Sequence, residues 1–164
     1  MGRIGLEVAK RLEAFGCEIL YNSRTQKSFV SYPYYSDLCD LAAQSDAIVI
    51  CCGLTHQTRH MINKPVMTAL GKEGVIVNVG RGGIFNEKEL VQCLVEGEIG
   101  GAGLDVFENE PDVPEELLTM GNVVLSPHRA NHTSETLLSM CELVADNFEA
   151  FFSTRPLISQ VLDY

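Results

Sequence analysis

Three polar segments of this sequence could together carry out acid–base chemistry on a carboxylate ligand. They are Arg81 in a glycine loop, the acidic pair Glu108 and Glu110, and His128. An Arg can clamp a carboxylate with two parallel hydrogen bonds, a His can move a proton, and a Glu can orient that His and favour its protonated form. With a nicotinamide cofactor supplying hydride, the set predicts reduction of a 2-oxo acid to a 2-hydroxy acid. Alone, Arg81 could equally be a surface residue and His128 a loop histidine.

Each of these residues follows a predicted strand. Four Val or Ile residues at positions 75–79 predict a buried parallel strand, which ends in Gly80-Arg81-Gly82-Gly83. A second predicted strand, 101–106, precedes the acidic loop 108–114, and a third, 123–125, precedes Ser126-Pro127-His128. Because the carboxyl ends of neighbouring parallel strands converge on one crevice, we expect the three segments to meet there.

Helices and strands alternate along the rest of the chain. We predict strands at 17–21 and 47–52, and helices from about 3 to 15, 37 to 44 (capped by Ser36), 64 to 70 (capped by Asn63), 87 to 96 (capped by Asn86) and 134 to 152. One apolar stripe runs along the first helix and another along the last. This alternation predicts an α/β, doubly wound parallel sheet of the Rossmann-like type.

The first helix begins at a partial dinucleotide fingerprint. Gly2-x-x-Gly5 supplies the last two glycines of G-x-G-x-x-G, without the first glycine and its strand. Ser23 and Arg24 stand about 20 residues further on, where such domains read the ribose. We therefore expect the domain to lack its first strand, with residues 1–153 forming an N-terminally truncated dinucleotide-binding domain and 154–164 a crossover tail.

Composition excludes several other classes of protein. The 164-residue chain has a formal net charge of −10, which argues against a nucleic-acid partner. No apolar run approaches the length of a membrane span, so we expect no membrane partner. The six cysteines show no CxxC pair; the apolar runs around four of them, Cys51-Cys52 included, predict reduced core residues in a cytoplasmic setting.

Two histidine pairs have spacing that a metal could use. His56/His60 and His128/His132 are each four residues apart. Neither pair has a third ligand at a suitable spacing, so we predict no metal site and expect His56 and His60 to lie on the surface.

Five segments together resemble the D-isomer-specific 2-hydroxyacid dehydrogenases. The segments are Gly2-Arg3-Ile4-Gly5, Cys52-Gly53-Leu54-Thr55, Val77-Asn78-Val79-Gly80-Arg81-Gly82-Gly83, the stretch from Gly103 to Pro111, and Ser126-Pro127-His128. The resemblance implies that Arg81 binds the substrate carboxylate and carbonyl, that His128 is the proton donor, and that Glu110 pairs with His128. Glu110 is preferred to Glu108 because it immediately precedes Pro111, as the family's catalytic Glu precedes its proline.

The same resemblance assigns a cofactor site. It implies contacts from Gly2, Arg3, Ile4, Ser23, Arg24, Cys52, Gly53, Thr58, Val79, Asp105 and Ala130, with Asp105 on the nicotinamide side. Ser23 stands where NAD-preferring members carry an acidic residue. With Ser23 there is no carboxylate to repel a 2′-phosphate, and Arg24 adds a cation. We therefore predict NADP as the cofactor, with NADPH preferred over NADH.

The resemblance also leads to two alternative functions. The first is reduction of glyoxylate or hydroxypyruvate, because the turn at Ser23 looks like that of the glyoxylate/hydroxypyruvate reductases. The second is a cofactor-binding module without turnover, either a corepressor-like nucleotide sensor or an inactive fragment. Family members build the active cleft between two domains, so the resemblance implies an absent substrate domain and, for a full-length protein, a homodimer.

Overall fold

The computed structural model of the protein describes residues 1–160 and contains a four-stranded parallel sheet. The strands are β1 (Ala47–Ile50), β2 (Val75–Asn78), β3 (Gly101–Leu104) and β4 (Val123–Leu125), paired in the order β1-β2-β3-β4. In the register, Ile50 lies opposite Asn78, and Asn78 lies opposite Leu104. The predicted α/β class and parallel sheet are thus confirmed.

Helices separate the strands. They are α1 (Arg3–Ala14), α2 (Leu38–Ala42), α3 (Lys64–Leu70), α4 (Glu87–Val95), α5 (Glu115–Thr119) and α6 (Ser134–Phe152), with a 3₁₀ turn at Gly82–Ile84. Asn63 and Asn86 cap α3 and α4 as predicted, each accepting a hydrogen bond from the backbone N–H three residues on. For α2 the predicted cap is wrong: Asp37, rather than Ser36, accepts from the N–H groups of Cys39 and Asp40.

The hydrophobic core packs around the sheet and helices α3 and α4. Its fully buried members come from strands, helices and loops, and they include Ala42, Ile62, Met67, Ile76, Ile84, Phe85, Leu90, Cys93, Ile99, Leu104 and Leu117. Alternate residues of β1 and β2 point into this core, as Ile48, Ile50 and Ile76 do. The sheet therefore gives rigid support to the loops that follow the carboxyl ends of its strands.

The predicted strand at 17–21 is absent from the sheet. Only Tyr21 forms a bridge, to Tyr34, with the Tyr21 N–H donating to Pro33 and its carbonyl accepting from Tyr35. A strand is stable only when a neighbour completes its ladder, and residues 17–20 find no partner strand within 1–160. Strands β1 and β3 are also shorter than predicted, so that Cys51 and Cys52, and Asp105 and Val106, lie in the loops that follow.

Most side chains of the predicted apolar stripes in α1 and α6 are exposed, and Val8 and Leu12 of α1 are half-buried. Ile4 and Phe15 of α1 are 61% and 86% exposed, and Ala9 is the buried residue of that helix. In α6 the side chains of Val144, Phe148 and Phe151 are exposed. Amphipathic periodicity identified these helices correctly, but a stripe is buried only if another element covers it.

The chain divides into two compact units. The first runs from Met1 to His128 and holds the sheet; the second, from Arg129, holds α6 and the segment after it, where Asn147 and Ser159 exchange hydrogen bonds. The predicted division into residues 1–153 and 154–164 remains a prediction, and 161–164 lie outside the described residues.

The cysteines are less buried than predicted. All six are free thiols, and Cys93 alone is buried, whereas Cys17 and Cys141 are exposed. Partial burial raises the pKa of the Cys51 and Cys52 thiols, since desolvation disfavours the thiolate. Within residues 1–160, no helix has the length and apolar character needed to cross a membrane.

Candidate active site

A carboxylate and an imidazole meet beyond the ends of β3 and β4. Glu110 Oε2 lies 2.8 Å from His128 Nδ1, and Glu110 Oε1 accepts a hydrogen bond of 3.1 Å from the N–H of Phe107. The two oxygens of Glu110 therefore have separate partners, one in its own loop and one in the loop after β4. Both side chains are partly open to solvent.

The backbone holds His128 in an unusual conformation. Its φ is +53°, in the left-handed region, and its N–H donates to the carbonyls of Asp105 (2.8 Å) and Ser126 (3.1 Å). The buried Asp105 carboxylate in turn accepts a hydrogen bond from the Ser126 hydroxyl. These bonds lock the loop after β4 to the end of β3 and fix the direction of the imidazole.

Arg81 lies in the turn after β2, and the buried side-chain amide of Asn78 holds this turn in place. Asn78 is 0% exposed; its amide donates to the Arg81 carbonyl (3.1 Å) and its oxygen accepts from the Gly80 N–H (2.9 Å). The Arg81 side chain is exposed, and its Nη1 donates to the Gly80 carbonyl at 2.6 Å. Because Asn78 spans the turn at both ends, the guanidinium is presented at the carboxyl edge of the sheet.

Two glycines let the loops approach each other closely. A Cβ on Gly82 would lie 1.9 Å from the carbonyl carbon of Phe107, and one on Gly80 would lie 2.7 Å from the Cys52 oxygen. Neither contact is compatible with a side chain. Gly82 therefore brings the Arg81 turn against the loop that carries Glu110.

The neighbours of Glu110 lower the pKa of its carboxyl. The hydrogen bond with His128 is the main cause of a lowered pKa for the Glu110 carboxyl; the Phe107 N–H and the charge of Arg81 add to it, while partial burial opposes them. Glu110 is therefore held as a carboxylate. The structure brings Arg81, Glu110 and His128 to one edge of the sheet.

Glu108, the other acidic residue considered, faces a different pair of side chains. Its carboxylate contacts Nη2 of Arg59 (3.0 Å) and Nε2 of His60 (2.6 Å). His56 is exposed and 35% of the His60 side chain is exposed, so both lie at the surface as predicted, but His60 is also joined to the acidic loop. No local pattern indicated this contact, because it joins residues 48 positions apart.

The amino terminus of α1 is suited to an anionic group. Gly2 occupies the N-cap without a side chain, no acidic residue lies in the first turn, and a Cβ on Gly2 would meet nothing within 4 Å. The exposed N–H groups and the helix dipole of such a terminus favour phosphate. The residues present therefore fit the diphosphate of a dinucleotide, and Gly2, Arg3 and Ile4 would hold it.

The other predicted cofactor residues occupy several loops. Thr58 closes the loop after β1 by donating to the carbonyl of Gly53 at 2.9 Å. Val79 lies at the end of β2, with its N–H donating to Ile50. Ser23 donates to the Thr25 carbonyl, forming the turn that also contains Arg24. Ala130 belongs to the second unit. The cofactor contacts of all these residues remain predictions.

Sequence reasoning missed Asn78 and Glu87. Glu87 is 6% exposed, and its carboxylate accepts a hydrogen bond of 3.0 Å from the Glu108 N–H. A polar residue ending an otherwise apolar strand was the available signal for Asn78. Glu87 resembled an ordinary acidic residue in the first turn of a helix. Across the part of the chain described, no cluster of three or more His, Cys, Asp or Glu side chains could hold a metal.

Comparison with known proteins assigns the family. The sequence profile of the D-isomer specific 2-hydroxyacid dehydrogenase NAD binding domain matches residues 1–130. This chain belongs to that family. The dehydrogenase domain is 57% identical over 161 residues to a glyoxylate/hydroxypyruvate reductase of Arabidopsis thaliana, covering 98% of this chain and 50% of the relative. It is 52% identical over 162 residues to a hydroxyphenylpyruvate reductase of Plectranthus scutellarioides, covering 99% of this chain and 52% of the relative.

Solved structures agree with this assignment. The dehydrogenase domain superposes with a TM-score of 0.93 and 46% identity on an NADPH-dependent glyoxylate/hydroxypyruvate reductase from Sinorhizobium meliloti in complex with NADP and malonate. The match covers 98% of this chain and 50% of that one. The chain therefore spans about half the length of the relatives it matches.

Proposed function

We propose that this dehydrogenase domain is the nucleotide-binding half of an oxidoreductase that reduces a small 2-oxo acid, glyoxylate or hydroxypyruvate, to the 2-hydroxy acid. The observation that carries the proposal is the 2.8 Å contact between Glu110 and His128. The charge of Arg81 also contributes to the lowered pKa of the Glu110 carboxyl. A cation, a proton donor and a carboxylate that orients the donor are what carbonyl reduction requires from the protein.

Each side chain has one role in this proposal. Arg81 binds the substrate carboxylate and carbonyl oxygen through its exposed guanidinium. His128 donates a proton to the carbonyl oxygen as that oxygen becomes a hydroxyl. Glu110 accepts a hydrogen bond from Nδ1 of the imidazole, which leaves Nε2 to serve as the donor. Nicotinamide supplies the hydride when the cofactor is bound.

NADPH is the proposed cofactor. The turn at Ser23 and Arg24 carries no acidic side chain and therefore does not repel a 2′-phosphate. The similar Sinorhizobium meliloti enzyme is NADPH-dependent and binds NADP. A homodimer, by analogy with the family, and a cytoplasmic location, in keeping with the free cysteines, complete the proposal.

The test measures cofactor binding and turnover separately. NADPH and NADH are titrated into the chain by fluorescence, and turnover is followed as loss of NADPH absorbance with glyoxylate and with hydroxypyruvate. Turnover is measured on the chain and on a chimera in which the chain replaces the matching half of the Sinorhizobium meliloti reductase. We expect tighter binding of NADPH than of NADH, and turnover by the chimera.

Two outcomes would contradict the proposal. Equal or tighter binding of NADH would refute the cofactor preference. A chimera that folds and binds NADPH without turnover would refute the catalytic assignment and favour the cofactor-binding module.

A further inference from the structure

A second cluster of charged side chains lies beside the candidate active site. The Glu108 carboxylate, 19% exposed, receives both Nη2 of Arg59 and Nε2 of His60 on the same oxygen, Oε1. Two donors that converge on one shielded oxygen hold a side chain more firmly than a single surface ion pair does. The roles proposed above for Arg81, Glu110 and His128 do not use this cluster.

The backbone of Glu108 is fixed as well. Its N–H donates to the carboxylate of the buried Glu87 at 3.0 Å, and Gly82 packs directly against the peptide between Phe107 and Glu108. Burial raises the pKa of the Glu87 carboxyl, while the Glu108 N–H opposes that shift. Residue 108 is therefore held by its side chain and its main chain, two positions before Glu110.

The cluster joins three loops. Arg59 and His60 end the loop that begins with Gly53 and is closed by Thr58, and the His60 N–H donates to the carbonyl of Gly83, in the turn of Arg81, at 2.9 Å. Glu108 thus connects the proposed cofactor loop to the loop that carries Glu110, and His60 connects it to the turn that carries Arg81.

We infer that Glu108 is a positioning residue: by binding Arg59 and His60 it fixes the loop that aims the Glu110 carboxylate at His128. The inference rests on the proposed function only in treating the Glu110–His128 pair as the proton-donating unit. Loss of the Glu108 contacts should weaken the Glu110–His128 contact, because the Glu110 carboxylate can reach the imidazole only while residues 107–110 keep their present conformation.

The experiment reads the proton affinity of His128 in the chain itself, without substrate or turnover. Histidine-labelled protein is titrated by NMR as the parent, Glu108→Ala, Glu110→Gln and the double variant. We expect Glu108→Ala to increase the acid dissociation constant of His128 at least about threefold, because the carboxylate that favours its protonated form is no longer held in place. In the Glu110→Gln background the same change should have no effect.

The double variant separates positioning from a direct effect of charge. If the negative charge of Glu108 acted on His128 through space, its removal would have the same effect with or without the Glu110 carboxylate. An equal shift in both backgrounds, or no shift in either, would overturn the inference. A purely structural role would lower the melting temperature and leave the titration of His128 unchanged.

Two further variants keep the test decisive. Glu96→Ala removes a carboxylate that pairs with Lys64 at the surface, and it should leave the titration of His128 unchanged.

If Glu108→Ala does not fold, the double substitution of Arg59→Met and His60→Gln removes the two partners of the Glu108 carboxylate and leaves the sequence of the acidic loop intact. It should shift His128 in the same direction, and a parent-like titration would then refute the inference. If the chimera proves inactive while His128 responds as expected, the proposed function fails and the positioning role of Glu108 stands.

Discussion

The side chains at this site are set by short polar contacts to neighbouring loops. Glu110 divides its oxygens between an imidazole and a backbone N–H, and Asn78 holds both ends of the turn that presents Arg81. Such contacts orient a group to within a fraction of an ångström, which is what proton transfer and carboxylate binding require.

Replacing His128 by Ala should abolish the proton donor and leave the cofactor site unchanged. In the active chimera we expect kcat to fall by roughly 10²- to 10⁴-fold, the usual contribution of a general acid. The affinity for NADPH should stay at the parent value, as measured by fluorescence titration. His132→Ala is the matched control, since His132 is an exposed histidine four residues on. Turnover near the parent rate in His128→Ala would remove His128 from the mechanism.

Replacing Ser23 by Asp should reverse the cofactor preference. A carboxylate at this turn would accept hydrogen bonds from the ribose hydroxyls of NADH and repel the 2′-phosphate of NADPH. We expect the ratio of NADH to NADPH dissociation constants to fall at least about tenfold, a change of about 1.4 kcal/mol. Ser28→Asp adds the same charge at an exposed site nearby and should leave the ratio unchanged. An unchanged ratio in Ser23→Asp would place the 2′-phosphate elsewhere.

The contact of Glu110 with His128 should make the chain less stable in acid. The pKa of Glu110 is lower in the folded chain than in the unfolded one, so this carboxylate contributes stability above its unfolded value, and the contribution disappears as the pH falls through the folded value. Urea unfolding of the parent and of Glu110→Gln across the acidic range measures it. We expect the parent's advantage to vanish in acid; parallel curves at all pH values would contradict the assignment.

Strands, turns and helices set the distances between these residues. Arg81, Glu110 and His128 follow β2, β3 and β4, three neighbouring strands of one parallel sheet. The loops at the ends of these strands can pack closely because glycine has no side chain, as at Gly82 against Phe107. Hydrogen bonds between the loops add to this packing. A substitution at Gly82 should therefore change the spacing of the loops at the site without removing any polar group.

Replacing Gly82 by Ala tests the close approach of the two loops. The new Cβ would lie 1.9 Å from the Phe107 carbonyl carbon, which the backbone can relieve only by moving the loops apart. We expect a loss of about 1–3 kcal/mol in the free energy of unfolding, measured with urea. Gly121→Ala, where a Cβ would meet nothing within 4 Å, should change stability by less than about 0.5 kcal/mol. Equal effects at the two glycines would contradict the crowding at Gly82.

At the scale of the whole molecule, the two units differ in how they bury apolar surface. The first unit packs its strands and α3 and α4 into a shared core, while most apolar side chains of α6 in the second unit are exposed. Exposed apolar surface of this kind favours association with other apolar surfaces. The stability of the chain should therefore depend on the first unit, and its tendency to associate should depend on α6.

Polar substitutions on α6 should reduce self-association without unfolding the chain. Phe148 and Phe152 are 61% and 79% exposed, and their rings stack on each other. Replacing both by Gln should lower the apparent mass by light scattering at high protein concentration and leave the melting temperature of the first unit unchanged. Phe85→Ala, at a fully buried position, should instead cost about 3–5 kcal/mol in the free energy of unfolding. A comparable loss in the α6 variant would show that these rings are part of a core.

The sequence by itself determined the strand–helix alternation, most element positions and the family resemblance, because periodicity, caps and glycine turns are local properties of the chain. It also favoured Glu110 over Glu108 through the neighbouring proline. Only the tertiary structure decided that residues 17–21 form no sheet strand, that most side chains of the stripes of α1 and α6 are exposed, and that His60 and Glu87 hold Glu108. These features depend on which distant segment lies alongside, and sequence spacing carries no record of a contact made across 20 to 50 residues. Which carboxylate lies opposite each imidazole depends on how closely the loops approach one another. Glycines leave room for that approach, and the sheet holds the ends of the strands side by side.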